Sequence, residues 1–292
     1  MKTRLICSLL GLAMALSLGA RAADDVDALA SDAELAEARM SVPPVTAAAA
    51  YDPKDNVVQL DLSEYAGYAG LIVANGGMEP NDNSVFFKKY GFKVKIVLSE
   101  EDNWSPVNSG KIAASATTVD VLPLYGKQLQ VVTPILLSFS RGADGVVVRS
   151  GINQINDLKG KVLSIGQFNE SDFFIRYLVQ QAGLEVALLP DFKTRPDPNK
   201  INLIVCSDSF GAGDLFLRDL NAGRTRLDGG VTWEPKTSQV VQGAGKKARL
   251  LVTNRNCLIV ADILVVNKAF AEQFPDMIKG LVDGILEGNQ AV

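Results

Sequence analysis

The sequence contains no histidine, and that single absence excludes several kinds of active site. A Ser-His-Asp triad, a Cys-His pair and any zinc site with a histidine ligand all need the imidazole ring. The sequence also shows no nucleophile paired with another base. We therefore predict no catalytic residues, no metal site and no cofactor.

Positive charge is also in short supply. The chain has 29 lysines and arginines against 33 aspartates and glutamates, which gives a formal net charge of −4. A chain of this composition has no basic excess with which to neutralise phosphates, so we predict that it binds no nucleic acid.

Cysteine is scarce, with three in the whole chain. Cys206 and Cys257 both lie in apolar runs, which favours two buried free thiols. An oxidising compartment would also permit a disulfide between them, so both interpretations stay open.

The only long apolar run before the globular region lies near the N-terminus. Residues 5–18 are apolar, Lys2 and Arg4 precede them, and Ala20-Arg21-Ala22 follows. This pattern is typical of a secretory signal peptide, and the run is too short to anchor the chain in a bilayer. We predict a signal peptide over residues 1–22, cleaved after Ala22, and an exported, periplasmic protein.

The remaining sequence divides into an Ala/Asp/Pro-rich stretch and an alternating region. The composition of residues 23–66 predicts an exposed spacer. After it, short β-rich runs alternate with amphipathic segments of helical length, which predicts parallel sheets covered by helices. The order of the runs indicates an α/β protein of two lobes, with residues 67–145 and 258–292 in lobe 1 and residues 146–257 in lobe 2.

Two lobes joined by chain crossings leave a cleft in which polar residues at strand ends can meet a ligand. In lobe 1, Asn75 and Gly76 follow the run 71–74, which we interpret as a strand. They are candidates for the ligand pocket, although Asn-Gly is equally an ordinary turn signal.

Hydroxyl groups precede the next predicted helix of lobe 1, which begins near Val119. Ser115, Thr117 and Thr118 stand before it, where such side chains either cap a helix or bind an anion at its positive end.

Polar residues in lobe 2 stand in the same relation to a predicted helix. Gln167, Asn169 and Ser171 follow a predicted strand, and two such helix starts, one from each lobe, would converge on the cleft. Arg141 lies where the chain crosses from lobe 1 to lobe 2, and it could bind a carboxylate, sulfonate or phosphonate. An internal pair between Arg141 and Asp144 is equally consistent with the sequence.

Three further residues are candidates for the pocket. Trp233 and Glu234 follow a predicted strand end, which is where an open α/β sheet presents ligand-binding groups. Asp262 interrupts an apolar stretch, and a buried carboxylate needs either a structural partner or a ligand.

With these residues, the chain resembles the periplasmic substrate-binding proteins of ABC importers, in the nitrate, taurine and aliphatic-sulfonate (NitT/TauT) group. The resemblance rests on Asp157-Leu158-Lys159-Gly160-Lys161, on Trp233-Glu234-Pro235 and on the order of strands and helices. It implies a two-lobed periplasmic binding protein fold of type II, with a mainly parallel sheet flanked by helices in each lobe.

The resemblance also implies a function. A monomeric protein of this kind closes over a small anionic or zwitterionic ligand (sulfonate- or taurine-like, nitrate-like or amino-acid-like) and delivers it to an ABC permease in the inner membrane. Two alternatives stay open, namely a sensory or scaffold domain of the cell envelope and an enzyme like those of pyrimidine synthesis. Members usually continue beyond the position of Val292, so we expect either a chain truncated at its C-terminal end or a first lobe smaller than usual.

Overall fold

The computed structural model describes residues 35–99 and 104–292. Within these ranges, no helix combines the length and the apolarity needed to cross a membrane. The predicted signal peptide, residues 1–22, lies outside the described residues, as does the first part of the predicted spacer.

Two sheets organise the described residues. Their strands, in chain order, are β1 Val57–Leu62, β2 Lys93–Leu98, β3 Ala114–Thr118, β4 Val131–Phe139, β5 Gly145–Arg149, β6 Val162–Gly166, β7 Val186–Leu189, β8 Ile201–Cys206, β9 Gly229–Thr232, β10 Ala248–Thr253 and β11 Ala261–Asn267. The sheet of lobe 1 has the order β2-β1-β3-β11-β4, and that of lobe 2 has the order β10-β5-β9-β6-β8-β7. Both sheets are mixed, because β11 runs antiparallel in lobe 1 and β5 does so in lobe 2.

Helices flank both sheets, so the predicted two-lobed α/β architecture is confirmed. They are α1 Ala69–Asn75, α2 Val85–Tyr90, α3 Trp104–Asn108, α4 Leu122–Tyr125, α5 Glu170–Gln181, α6 Ser209–Asn221, α7 Lys236–Ala244, α8 Lys268–Gln273 and α9 Pro275–Ala291. A break at Phe274 separates α8 from α9, because a residue before proline disfavours the helical conformation. After this break, α9 packs on α1 and α2 of lobe 1.

The prediction of a strand over residues 71–74 is wrong, because this run lies inside α1. Leu71, Ala74 and Asn75 are buried on one face of the helix, with Val73 exposed. A short apolar run fits a buried strand and a buried helix turn equally well, so periodicity alone did not distinguish them.

The prediction that the spacer extends to residue 66 is also wrong. Val57–Leu62 forms β1, an interior strand of the lobe 1 sheet that pairs with β2 on one side and β3 on the other. Val58, Leu60 and Leu62 alternate along it and are fully buried, which is the period-2 pattern of a strand. The polar composition of the surrounding stretch obscured this alternation.

The N-terminal segment, residues 35–51, contacts both lobes and so is not a free spacer. In lobe 2, Ala36 donates its amide proton to the carbonyl of Val205 at 2.9 Å. The side chain of Gln167 forms two hydrogen bonds with the backbone of Arg39. Its Oε1 accepts from the Arg39 amide at 2.9 Å, and its Nε2 donates to the Arg39 carbonyl at 2.7 Å.

The same segment continues onto lobe 1. Asn108 donates through Nδ2 to the carbonyl of Thr46 at 2.7 Å, and the amide of Ala49 donates to the carbonyl of Asn108 at 2.9 Å. Val42 and Val45 pack against the apolar cluster of lobe 1 that contains Trp104. The segment therefore bridges the lobes.

Two further connections between the lobes are the chain crossings over residues 140–144 and 254–260. Asn254, which is fully buried, ties them together. Its Nδ2 donates to the carbonyl of Ser140 at 3.1 Å and to Asp144 Oδ2 at 2.6 Å, while its Oδ1 accepts from the amide of Gly142 at 2.6 Å. The side chain of Asn254 thus links the two crossings to each other.

The two cysteines in the described region are free thiols. Cys206 is buried at the end of β8 and Cys257 is partly exposed in the second crossing. Burial raises the pKa of the Cys206 thiol to about 12, so this thiol stays protonated and is a weak nucleophile.

Candidate functional site

A cavity of about 350 Å³ lies between the lobes. Its walls come from the loops after β1, β2, β3, β6, β8 and β9, from both crossings and from the N-terminal segment. Small-molecule pockets usually have volumes of roughly 300–1,000 Å³. The cleft therefore accommodates a compact ligand.

The lobe 1 wall combines a carboxylate with aromatic rings. Asp61 and Ser63 stand at the end of β1, and Tyr65 and Tyr68 follow in the next turn. The two tyrosine rings contact each other edge to face, with centroids 5.3 Å apart. Burial raises the pKa of Tyr68 well above its usual range, so its hydroxyl keeps its proton.

Asp262, at the start of β11, reaches the cavity although only 3% of its surface is exposed. It accepts hydrogen bonds from Ser138 Oγ at 2.6 Å and from the hydroxyl of Tyr68 at 3.3 Å. Loss of solvation on burial raises its pKa to about 6, and the nearby Asp144 adds to the shift. The structural partners predicted for this carboxylate are thus hydroxyl groups.

Asp144, in the first crossing, is a second buried carboxylate at the cavity. It accepts from Ser140 Oγ at 2.5 Å and from Asn254 Nδ2 at 2.6 Å. Burial, together with the negative charge of Asp120, raises its pKa to about 6. The predicted pair between Arg141 and Asp144 is replaced by these neutral donors.

The hydroxyl residues at the end of β3 divide between its two faces, as side chains of a strand do. Thr118 lines the cavity, whereas Ser115 and Thr117 do not. Ser115 is buried and donates through Oγ to Asp61 Oδ2 at 3.3 Å. The predicted helix after Thr118 begins as a 3-10 turn followed by the four-residue α4, so it is too short to present a helix terminus to an anion.

On the lobe 2 wall, Gln167 and Asn169 line the cavity, but Ser171 is buried beneath it. Asn169 Oδ1 accepts from the amides of Ser171 and Asp172 at 3.1 and 3.3 Å. Asp172 Oδ2 accepts from the amide of Phe168 at 3.2 Å. Because the chain's own side chains occupy the N-terminus of α5, the anion-binding role predicted there is not supported.

Phe168 lies between these residues and lines the cavity in an uncommon backbone conformation. Its φ angle is +66°, a value that costs an aromatic residue free energy. Such strain often occurs at binding sites, where the surrounding structure holds a side chain in a required direction.

Trp233 lines the cavity as the sequence predicts, but Glu234 does not. The Trp233 ring packs on Phe210 with centroids 5.1 Å apart. Glu234 turns towards the N-terminus of α7, where its carboxylate accepts from Ser238 Oγ at 2.8 Å and from the Ser238 amide at 3.2 Å. Neighbouring residues after a strand point in opposite directions, which explains the difference.

Three other predicted residues lie outside the cavity. Asn75 is fully buried, and its Nδ2 donates to the carbonyls of Gly77 and Val94 at 2.9 and 3.1 Å. Gly76 ends α1 with a φ angle of +71°. Arg141 is exposed and does not line the cavity. The prediction for Asn75 and Gly76 failed because their run is a helix, not a strand that ends at the cleft.

Several cavity residues were missed in the sequence. Asp61 lies in β1, and Tyr65 and Tyr68 follow this strand. The spacer prediction includes β1, and the alternation along β1 is the signal that could have identified these residues. Glu37 and Arg39 belong to the N-terminal segment. No local pattern indicates that this segment reaches the cleft.

Negative charge predominates among the described residues that line the cavity. The carboxylates belong to Glu37, Asp61, Asp144, Glu170, Asp208 and Asp262, and the positive charge belongs to Arg39. Arg39 is exposed, whereas Asp144 and Asp262 are buried. The interior of the cleft is therefore acidic.

Comparison with known sequences identifies a family. A family model described as NMT1/THI5 like matches residues 82–292, which is more than half of the chain. No curated protein matches the sequence.

Comparison with solved structures identifies the same two-lobed fold. The aliphatic sulphonate binding protein SsuA from Escherichia coli has a TM-score of 0.58 at 17% identity, with 80% of this chain and 72% of that chain covered. The nitrate-binding protein NrtA from Synechocystis PCC 6803 has a TM-score of 0.58 at 15% identity, with 80% and 61% covered. An ancestral arginine-binding protein bound to arginine has a TM-score of 0.50 at 15% identity, with 80% and 96% covered. The resemblance predicted from the sequence is thus confirmed, and at these identities the likeness concerns the fold.

Proposed function

The chain belongs to the NMT1/THI5-like family, and from this premise we propose that it is the solute-binding protein of an ABC-type import system. The observation that best supports the proposal is the cavity between the lobes, with walls from both sheets and from both crossings. Closure of two lobes about such crossings is a common response to a ligand. The protein binds its ligand without chemical turnover and presents the closed form to a membrane permease.

The ligand is a small molecule. Within the range predicted from the sequence, a zwitterion such as taurine or an amino acid agrees with the carboxylates of the cleft. A plain anion such as nitrate would be repelled by them and would leave them without a role.

Export completes the proposed function. A signal peptide over residues 1–22 would direct the chain to the periplasm, where the mature protein acts as a monomer. Intact mass measurement of the protein recovered from the periplasm tests this, because the expected product begins at Ala23. A product that still contains residues 1–22 would contradict the proposed cleavage.

A thermal-shift screen of the mature protein tests the binding function. A ligand present at about 100 times its Kd adds about 2.7 kcal/mol to the free energy of unfolding and should raise Tm by several degrees. We expect at least one hit among sulfonates, nitrate, amino acids, amines and pyrimidines. A protein that melts cooperatively but responds to none of these solutes would contradict the proposal.

Trp233 provides the matched variants for this screen. Trp233→Phe keeps an aromatic ring against Phe210 and should retain part of the ligand-induced shift, whereas Trp233→Ala should abolish it. Both variants should still melt cooperatively, Trp233→Ala at a lower Tm because loss of a buried aromatic side chain costs about 3–5 kcal/mol. If the ligand raised the Tm of Trp233→Ala as much as that of the wild type, Trp233 would not be part of the binding site.

A further inference from the structure

Asp144 and Asp262 are buried carboxylates of the cleft, and no cation among the described residues pairs with either of them. The hydrogen bonds of Asp262 come from Ser138 and Tyr68, and those of Asp144 come from Ser140 and Asn254. All of these donors are neutral. Neither carboxylate forms an ion pair with a lysine or arginine within residues 35–99 and 104–292. Buried charge without a counter-charge is unfavourable, so the site is suited to a ligand that brings positive charge.

A buried hydroxyl group lies on the same wall. Thr118 is only 6% exposed and lines the cavity. Its Oγ1 has no hydrogen-bond partner at normal distance and angle among the described residues, although it lies near enough to Asp120 to favour the ionised form of that carboxylate. A buried hydroxyl is normally satisfied by protein, water or ligand, so a ligand with a hydrogen-bonding group could use Thr118.

Aromatic rings complete the surroundings. Tyr65, Tyr68, Phe168 and Trp233 line the same cavity. The faces of such rings carry partial negative charge and attract ammonium groups, an interaction that strengthens when the site is shielded from water.

The arrangement favours an organic cation over a metal ion. In the described residues, no three His, Cys, Asp or Glu side chains stand close enough together to hold a metal ion. A cavity of about 350 Å³ is also far larger than a single ion requires. An ammonium group on a small organic skeleton fits both the charge and the volume.

We propose that the cleft recognises a protonated amine, held between Asp262 and Asp144 and the surrounding aromatic rings, so that the ligand is an organic ammonium compound. This proposal rests on the proposed solute-binding function and specifies its ligand class. Burial raises the pKa of both aspartates to about 6, because it disfavours their ionised forms. A cation bound beside them would stabilise the ionised forms and lower the pKa again.

Isothermal titration with two matched pairs of compounds tests the proposal on the intact mature protein. Tyramine and 3-(4-hydroxyphenyl)propionate have the same ring and chain length but opposite charges. Taurine and ethanesulfonate differ in the presence of the amine. We expect the amine to bind at least tenfold more tightly than its partner in each pair that binds, and at least one pair to bind.

Two isosteric variants test whether the charge of Asp262 is required for amine binding. Asp262→Asn keeps the size of the side chain and removes its charge, so it should weaken amine binding at least tenfold. Asp276→Asn makes the same change at an exposed position of α9 that does not line the cavity, and should bind as the wild type does. Equal amine binding by both variants would overturn the proposal.

The other outcomes separate the ligand class from the function itself. If ethanesulfonate, 3-(4-hydroxyphenyl)propionate or nitrate binds at least as tightly as the amines, the amine proposal is wrong and the solute-binding function stands. If none of the five compounds binds to the folded protein, the amine proposal is wrong, and the solute-binding function is decided by the wider thermal-shift screen. Because the paired titrations use the wild-type protein, this test does not depend on the folding of Asp262→Asn.

Discussion

The side chain of Asp262 lies in surroundings that oppose its negative charge. It is buried, its donors are the hydroxyls of Ser138 and Tyr68, and Asp144 lies near enough to repel it. Its pKa of about 6 in the folded protein exceeds the ordinary value of 3.8. The folded state therefore holds the proton of this carboxyl more tightly than the unfolded state does.

This difference predicts a pH dependence for Asp262→Asn. The stability that protonation of Asp262 contributes is complete below about pH 4 and is lost as the pH rises through about 6. Asparagine does not titrate, so the free energy of unfolding of the variant relative to wild type should increase by about 1–3 kcal/mol between pH 4.5 and pH 8. Urea unfolding of both proteins at the two pH values measures this. If the free energies of unfolding of the two proteins changed in parallel with pH, the pKa of Asp262 would not be raised in the folded state.

Single residues also show where sequence reasoning succeeds. Trp233 and Asp262 could be predicted as cavity residues because a tryptophan at a strand end and a carboxylate in an apolar run are local signals. Glu234 and Ser171 could not be separated from their neighbours, since the direction of a side chain depends on the exact residue at which a strand or helix begins.

At the scale of structural elements, the paired crossings depend on one amide side chain. Asn254 contacts Ser140, Gly142 and Asp144 through both ends of its side chain. These bonds join residues more than 100 positions apart in the sequence. The crossings therefore act as one structural unit.

Asn254→Ala should destabilise the protein by about 2–4 kcal/mol, because it leaves several buried groups without partners. Asn256→Ala, two residues further on at an exposed position, should change stability by no more than about 0.5 kcal/mol. Denaturant unfolding of the two variants checks the difference. Similar values for both would mean that Asn254 does not hold the crossings together.

The N-terminal segment is a second element whose role depends on a few contacts. Gln167→Ala removes both hydrogen bonds to the backbone of Arg39, so the segment should open more often and trypsin should cleave after Arg39 several times faster. Gln180→Ala, at an exposed position of α5 in the same lobe, is the control. Equal cleavage rates in the two variants would show that Gln167 does not restrain the segment.

Elements were predictable from sequence where their pattern was long or clearly bounded. The strand β6 and the helix α5 agree with the strand and helix predicted on either side of Gln167 and Asn169. The strand β1 was missed and α1 was taken for a strand, because short segments carry too little periodicity to decide. Because β1 was missed, Asp61 was not predicted as a cavity residue, and because residues 71–74 were interpreted as a strand, Asn75 and Gly76 were.

For the molecule as a whole, the order of strands and the family resemblance were sufficient to predict two lobes with a cleft between them. The charge of the cleft was not predictable, because Asp61, Asp144 and Asp262 meet only after three separate parts of the chain have folded. The bridging role of the N-terminal segment is likewise a consequence of tertiary contacts with both lobes.

A crystal structure of the protein with its tightest-binding amine would show whether the acidic cleft binds the ammonium group. We expect the ligand between the lobes, with its nitrogen about 3 Å from the carboxylate of Asp262 or Asp144 and its skeleton against Trp233 and Tyr68. A ligand bound outside the cleft, or one that directs an anionic group at these carboxylates, would contradict this expectation.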